Sequence, residues 1–542
     1  MAKKVFYDDE ARSKVLAGAK ILADAVKTTM GPKGRNVVIG KTYGGPNVTH
    51  DGVTVAEAID LPETDDNLGE KIGAELIKQA AKKMNKAAGD GTTTVTVLTY
   101  EILREANRLI AAGHNPMELR KGVEKAGKEV LDSLNKMAEP INGKNDLVAE
   151  VASISAGDEE IGKLIANVMA QIGSEGVVSV EAGQGLAMES EIVKGFTFER
   201  GYVSAYMATD MNRMEAVLEK PAIIITDKKI SSAQELLPLL EKVAQTGQKD
   251  IILIADDVEG EALGVLILNK IKGALNTVAI KAPSFGDRRK DVLQDIATLT
   301  GASVISTDQG MTFDNVGLEI VGSARKVIVA KDNTTIIEGA GDKAQIISRI
   351  DQINAQKSHA PSKYDEEELD KRSASLSGKV AVIKVGGATE TEIEEKKYRV
   401  DDAVAAVKAA LIDGIVPGGG VTLINLSNDI SGNDAGAEIL RNALAMPFKQ
   451  LTANAGLNSE ALLAEVQQAK AGYGVNVSNY KGKLIDLRKS GVVDPARVTH
   501  QAIQNAVSIA STAMTMGALV VDIPEKQDVG ANAMGGGGMG MM

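Results

Sequence analysis

Apolar residues at Val15, Leu16, Ala19, Leu22, Ala23 and Val26 recur with a helical period, which predicts an amphipathic helix over 9–29 ended by Gly31-Pro32. The short run NVVI (36–39), the Gly44-Gly45 pair and the segment VTHDGVTV then predict a small β element, with Asp51-Gly52 as a tight turn between short strands. Helical spacing returns over 67–88 and 92–112, the second through Val95, Leu98, Ile102 and Leu109 and closed by Gly113. From about 150 the texture changes. Runs such as GVVSV (176–180), AIIIT (222–226), IILIA (251–255), TVAIKA (277–282) and KVIVA (326–330) alternate with helical stretches, an α/β signature that ends with VAVIKVGG at 380–387. Residues 400–412 and most of 435–520 are helical again. Helices at both ends around an α/β block imply that the termini share one helical domain into which the middle is inserted.

Composition narrows the chemistry. The 542 residues suffice for several domains, and with aromatics at 3% and no Trp the cores must be aliphatic and small, which favours close helix packing. Lys plus Arg is 61 against 73 for Asp plus Glu, and a net charge of −12 argues against nucleic acid or an anionic membrane as a partner. With no cysteine and only four scattered histidines, thiol nucleophiles, zinc–thiolate sites and iron–sulfur clusters are excluded, so a bound metal must be a hard, oxygen-ligated ion. The start, MAKKVFYDDEARSKV, lacks the apolar stretch of a signal peptide and no run of about 18 apolar residues occurs, so a soluble, cytoplasmic protein is expected. The segment from 530, GANAMGGGGMGMM, has the composition of a flexible tail.

Three segments carry candidate phosphate chemistry: TTMGPKGRN (28–36), AAGDGTTT (87–94) and GIVPGGG (414–420). In the second, glycines admit a close backbone approach, the helix N-terminus favours an anion, and the threonine hydroxyls can donate. Asp90 stands where a Mg²⁺ bridging such phosphates could be held. In isolation the same residues serve equally as a helix cap after a glycine turn, and no Walker A pattern is present there. A carboxylate that aligns an attacking water could be Asp51 or one of Asp401-Asp402, because adjacent helical residues cannot face one site together. With Val404, Val407 and Leu411 as the buried stripe, Asp402 falls nearly opposite it and looks outward, toward a partner domain. By themselves these two acids fit a helix N-terminus just as well.

TTMGPKGRNVVI, HDGVTVA, AAGDGTTT, VEGEAL, KAPSFGDRRK, LQDIATLTG, YRVDDA, the PGGG loop and the Gly/Met tail, in this order along the whole chain, resemble the group I chaperonins, the bacterial GroEL-like family. The resemblance implies a multidomain chaperonin fold. A mainly α equatorial domain (1–136 and 413–529) would bind ATP, a small α+β intermediate domain (137–193 and 380–412) would act as hinge, and an α/β apical domain (194–379) would bind clients and a co-chaperonin, with a flexible tail at 530–542. Hinges would lie near Pro140 and Gly414 and near Gly195 and Gly378.

By the same resemblance, ATP would contact Thr29, Met30, Gly31, Pro32, His50, Asp90, Gly91, Thr92, Thr93, Thr94, Gly419, Asn476, Val477, Ser478 and Asp494. Asp90 would hold Mg²⁺, K⁺ would be a further cofactor, and Asp51 and Asp402 would align and activate water. Clients would meet Tyr202, Tyr206, Met207, Leu237, Leu240, Leu263, Ile267 and Leu268, on or near helices ELLPLLEKV and EALGVLILNKI, which taken alone read as ordinary core helices. The assembly implied is a heptameric ring, stacked in pairs to a 14-mer, capped by a co-chaperonin lid and coupling ATP hydrolysis to the folding of captured chains. The chain departs from the family pattern by a few residues inserted around Leu61 to Leu68 and at three positions. His50 replaces the usual Lys beside Asp51, which suggests a pH dependence near neutrality; Ile412 replaces an acid; and Asn458 cannot supply the acid of an inter-ring pair near Lys449. A metabolic ATPase or kinase and a non-hydrolysing scaffold are the alternatives. A group II chaperonin is disfavoured because no extended apical insertion is seen.

Overall fold

The computed structural model describes residues 2–523 apart from 41–45, 63, 65–66, 142, 174–175, 184, 212 and 358–362. The flexible-tail expectation for 530–542 lies outside the described residues. The chain divides into two compact units, one from 1–167 and 387–542 and the other from 168–386. The segments expected to form a hinge domain are shared out accordingly: 137–167 and 387–412 belong to the first unit, 168–193 and 380–386 to the second.

The first unit opens with β1 (Lys3–Tyr7), α1 (Asp8–Val26), β2 (Val37–Ile39), β3 (Asn47–Thr49), α2 (Gly52–Ala58), α3 (Glu70–Ala88), α4 (Thr92–Ala111), α5 (Pro116–Met137) and α6 (Asn145–Ala156), and α7 (Glu159–Ile172) runs across the boundary between the units. In the second unit come β4 (Val177–Ala182), β5 (Glu189–Phe198), β6 (Ala216–Glu219), β7 (Ala222–Thr226), β8 (Lys229–Ile230), α8 (Ala233–Gln245), β9 (Asp250–Ala255), β10 (Asp257–Val258) and α9 (Gly260–Ile271). It continues through β11 (Asn276–Lys281), α10 (Gly286–Thr300), β12 (Val304–Ile305), β13 (Gly322–Val329), β14 (Thr334–Gly339), α11 (Lys343–Lys357), α12 (Lys363–Leu376) and β15 (Lys379–Val385). The chain returns to the first unit with α13 (Glu390–Asp413), β16 (Ile415–Pro417), α14 (Val421–Ser427), α15 (Ala435–Leu444), α16 (Met446–Asn454) and α17 (Ser459–Gln468). It closes with β17 (Tyr473–Gly474), β18 (Ile485–Asp486), β19 (Val493–Pro495), α18 (Ala496–Met514) and β20 (Ala518–Asp522).

In the first unit α4 is the central helix, packed against α3, α5, α15 and α18, and its core residues Leu98, Ile102 and Ala106 meet Ile77, Met84, Val130 and Ile503 in one aliphatic cluster. The expected close helix packing is most extreme where α1 crosses α3. A Cβ on Gly18 would lie 1.7 Å from Glu70 O and one on Gly73 1.9 Å from Val15 O, so only glycine fits at that crossing. The two chain ends meet as an antiparallel pair, β1 with β20. One local expectation is corrected. Asp51-Gly52 is not a turn between strands: β3 pairs back on β2, and Asp51 caps α2, because its carboxylate satisfies two of that helix's first N–H groups.

The second unit is built on a mixed sheet of order β11-β9-β7-β13-β14-β5-β15-β4, with β12 and β6 paired at its side. Strands β11, β9 and β7 run parallel, and antiparallel pairs carry the order on to β15. Fully buried runs such as AIIIT in β7 show why these strands read as continuous apolar stretches: helices cover them. Asp295 on α10 is buried to 1% exposure and accepts from Arg349 Nε of α11 at 2.7 Å and Arg372 Nε of α12 at 2.8 Å, which pins that helix pair.

Candidate functional site

A cavity of about 1240 Å³ opens in the first unit, and every residue expected at the nucleotide lines it. Two helix N-termini converge there, those of α2 and α4. The first turn of α4 has no side-chain cap; Gly91, in the left-handed region at φ 81°, occupies the capping position, and Thr92, Thr93 and Thr94 of this uncapped turn line the cavity. A Cβ on Gly91 would come within 2.6 Å of Val498 and 2.8 Å of Met84, so neither its conformation nor its space admits another residue unstrained. Gly52 lets α2 approach: its missing Cβ would lie 2.6 Å from Thr93 Oγ1. This is a cradle that a side chain would fill.

The 28–36 segment forms the adjoining wall. Gly34 N donates to Gly31 O at 2.9 Å and Arg35 N to Thr28 O at 2.8 Å, while Asn454 of α16 donates to the carbonyls of Lys27 and Met30 at 3.0 Å each. Thr29 Oγ1 lies 3.2 Å from Thr93 Oγ1, joining this wall to α4. Gly419 and Gly420 of the glycine loop and the stretch 476–478 line the same cavity.

Among the carboxylates that line it are the four expected there, Asp51, Asp90, Asp402 and Asp494. Asp51 Oδ1 accepts from Val53 N at 3.2 Å, and Oδ2 from Thr54 N at 2.9 Å and Thr54 Oγ1 at 2.6 Å, which fixes its orientation. Asp90 accepts from Gly91 N and, on Oδ2, from Ser155 Oγ at 3.2 Å. Burial pushes the Asp90 carboxyl up against these two hydrogen bonds, and neighbouring Asp51 adds to the rise. Asp494, on β19, is pushed to about 7, first by burial and then by the charge of Asp90. Crowded carboxylates of this kind favour a cation.

Asp402 belongs to a stripe of α13, Thr391, Glu394, Glu395, Tyr398 and Asp402, whose spacing puts it on the cavity side. As the spacing predicts, Asp402 lies on the side opposite Val404 and Val407; that side forms part of the cavity wall, and Asp402 is half-buried there. The buried face comprises Val400, Ala403, Val404, Ala406, Val407, Ala409 and Ala410, whereas Leu411 is only half-buried. Of the acidic pair, only Asp402 lines the cavity.

His50 is half-buried, and its pKa is lowered from 6.5, mainly by burial and further by Arg399, against the opposing charges of Glu395 and Asp51. Its surroundings thus favour the neutral imidazole. Ser155, Arg399 and the α6 wall escaped the sequence reading, because SISAG and KKYRV carry no phosphate-binding pattern. Only the fold brings α6 and α13 together.

The model of the TCP-1/cpn60 chaperonin family matches residues 22–524. The chain belongs to that family. It is a chaperonin, a class that takes part in protein folding, forms ring oligomers and acts on client proteins, and its multidomain architecture is the fold of the family. Among the described residues no helix is long and apolar enough to cross a membrane.

The chaperonin's eight expected client contacts divide by exposure. Tyr206, Leu237 and Leu268 are exposed, at 70%, 37% and 50%, and Leu263 and Ile267 are half-buried on the core of the second unit. Tyr202, Met207 and Leu240 lie inside, at 9%, 0% and 3%, so in this conformation they support the surface from beneath and offer little or nothing to a client. Met207 Sδ accepts from Ala279 N at 3.2 Å and is held as core. Near the expected inter-ring position, Lys449 pairs with Glu460 at 2.9 Å within the chain, and Asn458 caps α17 by accepting from Ala461 N at 3.2 Å.

Proposed function

We propose that this chaperonin is an ATP hydrolase of the group I type, which captures non-native proteins on the apolar surface of its second unit and encloses them under a co-chaperonin lid in seven-membered rings stacked in pairs. One observation carries the reading: residues scattered from Thr29 to Asp494, expected at a nucleotide without any Walker motif, line one cavity at the uncapped N-terminus of α4.

The donor set fits Mg-ATP. Free N–H groups of α4 and the hydroxyls of Thr92 to Thr94 suit phosphate oxygens, and Asp90 suits a hard cation. Among the described residues no group of three or more His, Asp or Glu could hold a metal unaided, so phosphate oxygens and water would complete its coordination. When bound, Mg²⁺ would offset phosphate charge, with Asp90 holding it. Asp51, held by Val53 and Thr54, would align the water, and Asp402 would accept its proton as the water oxygen attacks the terminal phosphorus and the bond to the bridging oxygen breaks. K⁺ would assist phosphate binding, and cytoplasmic residence is part of the same proposal.

The test is electron microscopy of purified protein with and without ATP and a co-chaperonin, together with Mg²⁺-dependent release of phosphate. Seven-fold double rings that gain a cap only with nucleotide are expected. A monomer inert to ATP and to unfolded protein would overturn the proposal.

A further inference from the structure

The 486–491 loop, between β18 and β19, carries a guanidinium that the nucleotide chemistry leaves unused. Its backbone closes on itself: Ser490 N and Oγ donate to Asp486 O at 3.1 and 2.7 Å, and Lys489 N donates to Asp486 Oδ1 at 3.2 Å. From this rigid base Arg488 Nε and Nη2 donate to the two carboxylate oxygens of Glu139 at 3.0 and 3.3 Å, a two-point pair. Its Nη1 lies 3.5 Å from Glu150 Oε2. Glu139 is anchored from two further directions, by Lys144 Nζ at 2.9 Å and by reciprocal backbone hydrogen bonds with Ile415, 2.9 Å each.

Glu150 sits on α6, and its Oε2 is buried without a hydrogen bond. Burial pushes its carboxyl up, and Arg488 is the leading charge that opposes this. Gly491, at φ 72°, lies beneath the same side chain; a Cβ there would stand 3.3 Å from Glu150 Cγ and Cδ. The loop therefore wraps around one carboxylate of α6, and Arg488 supplies its counter-charge. Further along α6, Ser155 donates to Asp90.

We propose that Arg488 is a positioning residue of the nucleotide site: by holding Glu139 and Glu150 against the 486–491 loop it fixes where α6 sits, and so where the Ser155 hydroxyl meets Asp90. The inference rests on the reading of Asp90 as the carboxylate that holds the cation. All three side chains of the clamp are part-exposed, at 25% for Arg488, 43% for Glu139 and 33% for Glu150, so the clamp adds little to global stability and acts on one helix.

Two measurements on the full-length chain test it. Hydrogen exchange of the nucleotide-free Arg488→Ala protein is expected to quicken across 145–156 and to stay unchanged in α4 and α18. In ATPase assays the Mg²⁺ concentration giving half-maximal rate should rise about tenfold, as for other outer-shell losses, with KM for ATP at saturating Mg²⁺ held within about twofold. Mg²⁺ titration of the ADP complex, read by calorimetry, should show the same weakening without turnover. Glu150→Gln, which keeps the shape and the Glu139 pair, should shift in the same direction by less, and Arg488→Lys should restore part of the loss. Unchanged exchange at 145–156, or a loosened α6 with an unaltered Mg²⁺ requirement, would overturn the proposal while leaving the ATPase reading intact. A wild-type chain that binds no ATP would instead remove the ATPase reading, and the link to Asp90 with it.

Discussion

The two units offer the proposed function opposite kinds of surface. In the first, the cavity presents polar groups held at fixed points: the uncapped N-terminus of α4, carboxylates, and glycines that leave room for a ligand. In the second, apolar side chains are left uncovered, and the same helix α8 that buries Leu236, Leu239 and Leu240 leaves Leu237 at 37% exposure. A polar site fails when one group is displaced, because phosphoryl transfer depends on alignment. An apolar surface fails by degrees, because each side chain adds area and no geometry is unique.

The sharpest way to break this contrast is Asp402→Ala. Loss of the proton acceptor should lower kcat by about 10²- to 10³-fold while ATP binding and ring formation persist, measured by steady-state turnover beside nucleotide titration. Turnover within about threefold of wild type would assign the proton to another group and make the first unit as tolerant as the second.

Two leucines, three residues apart on α8, sharpen the comparison within the second unit. Leu240→Ser removes a core side chain at 3% exposure and should destabilise that unit by about 3 kcal/mol or more, seen as an earlier denaturant transition. Leu237→Ser should leave that transition in place and cut capture of an unfolded model protein several-fold, with ATPase activity retained. Equal destabilisation by both substitutions would mean that α8 has no functional face distinct from its core face.

The same contrast explains what could be read before the fold was known. GDGTTT, TTMGPKGRN and the glycine loop announce themselves because a bound anion demands residue types, namely glycine for close approach and hydroxyls for donation, and each lines the cavity. The order helical, α/β, helical was legible from periodicity, and strands such as AIIIT are observed where expected. Three things were not. Asp51 reads as a turn residue because Asp-Gly serves both turns and caps, and only the pairing of β3 with β2 decides between them. What faces Asp402 depends on which elements cover the polar side of α13, and helical periodicity alone does not name them. Exposure on α8 and α9 was illegible because Leu237 and Leu240 are chemically identical in sequence and differ only in what lies above them.

His50 gives the smallest expected effect and the finest test of how rigid the polar site is. Its position invites the thought of a switch near neutrality, yet burial and Arg399 lower its pKa below 6.5 against the pull of Glu395 and Asp51. A histidine held neutral in the fold binds fewer protons than in the unfolded chain over the window between the lowered value and 6.5. Stability at this site is therefore complete above 6.5 and declines as pH falls through that window. Between pH 7 and 8 the wild-type ATPase rate should be flat with respect to His50, with a fall only on the acid side of 6.5. His50→Lys places a fixed cation beside Asp51 and the cavity, so it should strengthen ATP binding by no more than about threefold at pH 7.5 and abolish that part of the acid fall. If instead the wild-type rate changes steeply between pH 7 and 8 and the lysine variant removes the change, His50 must be charged at neutrality. The acids around it would then outweigh its burial.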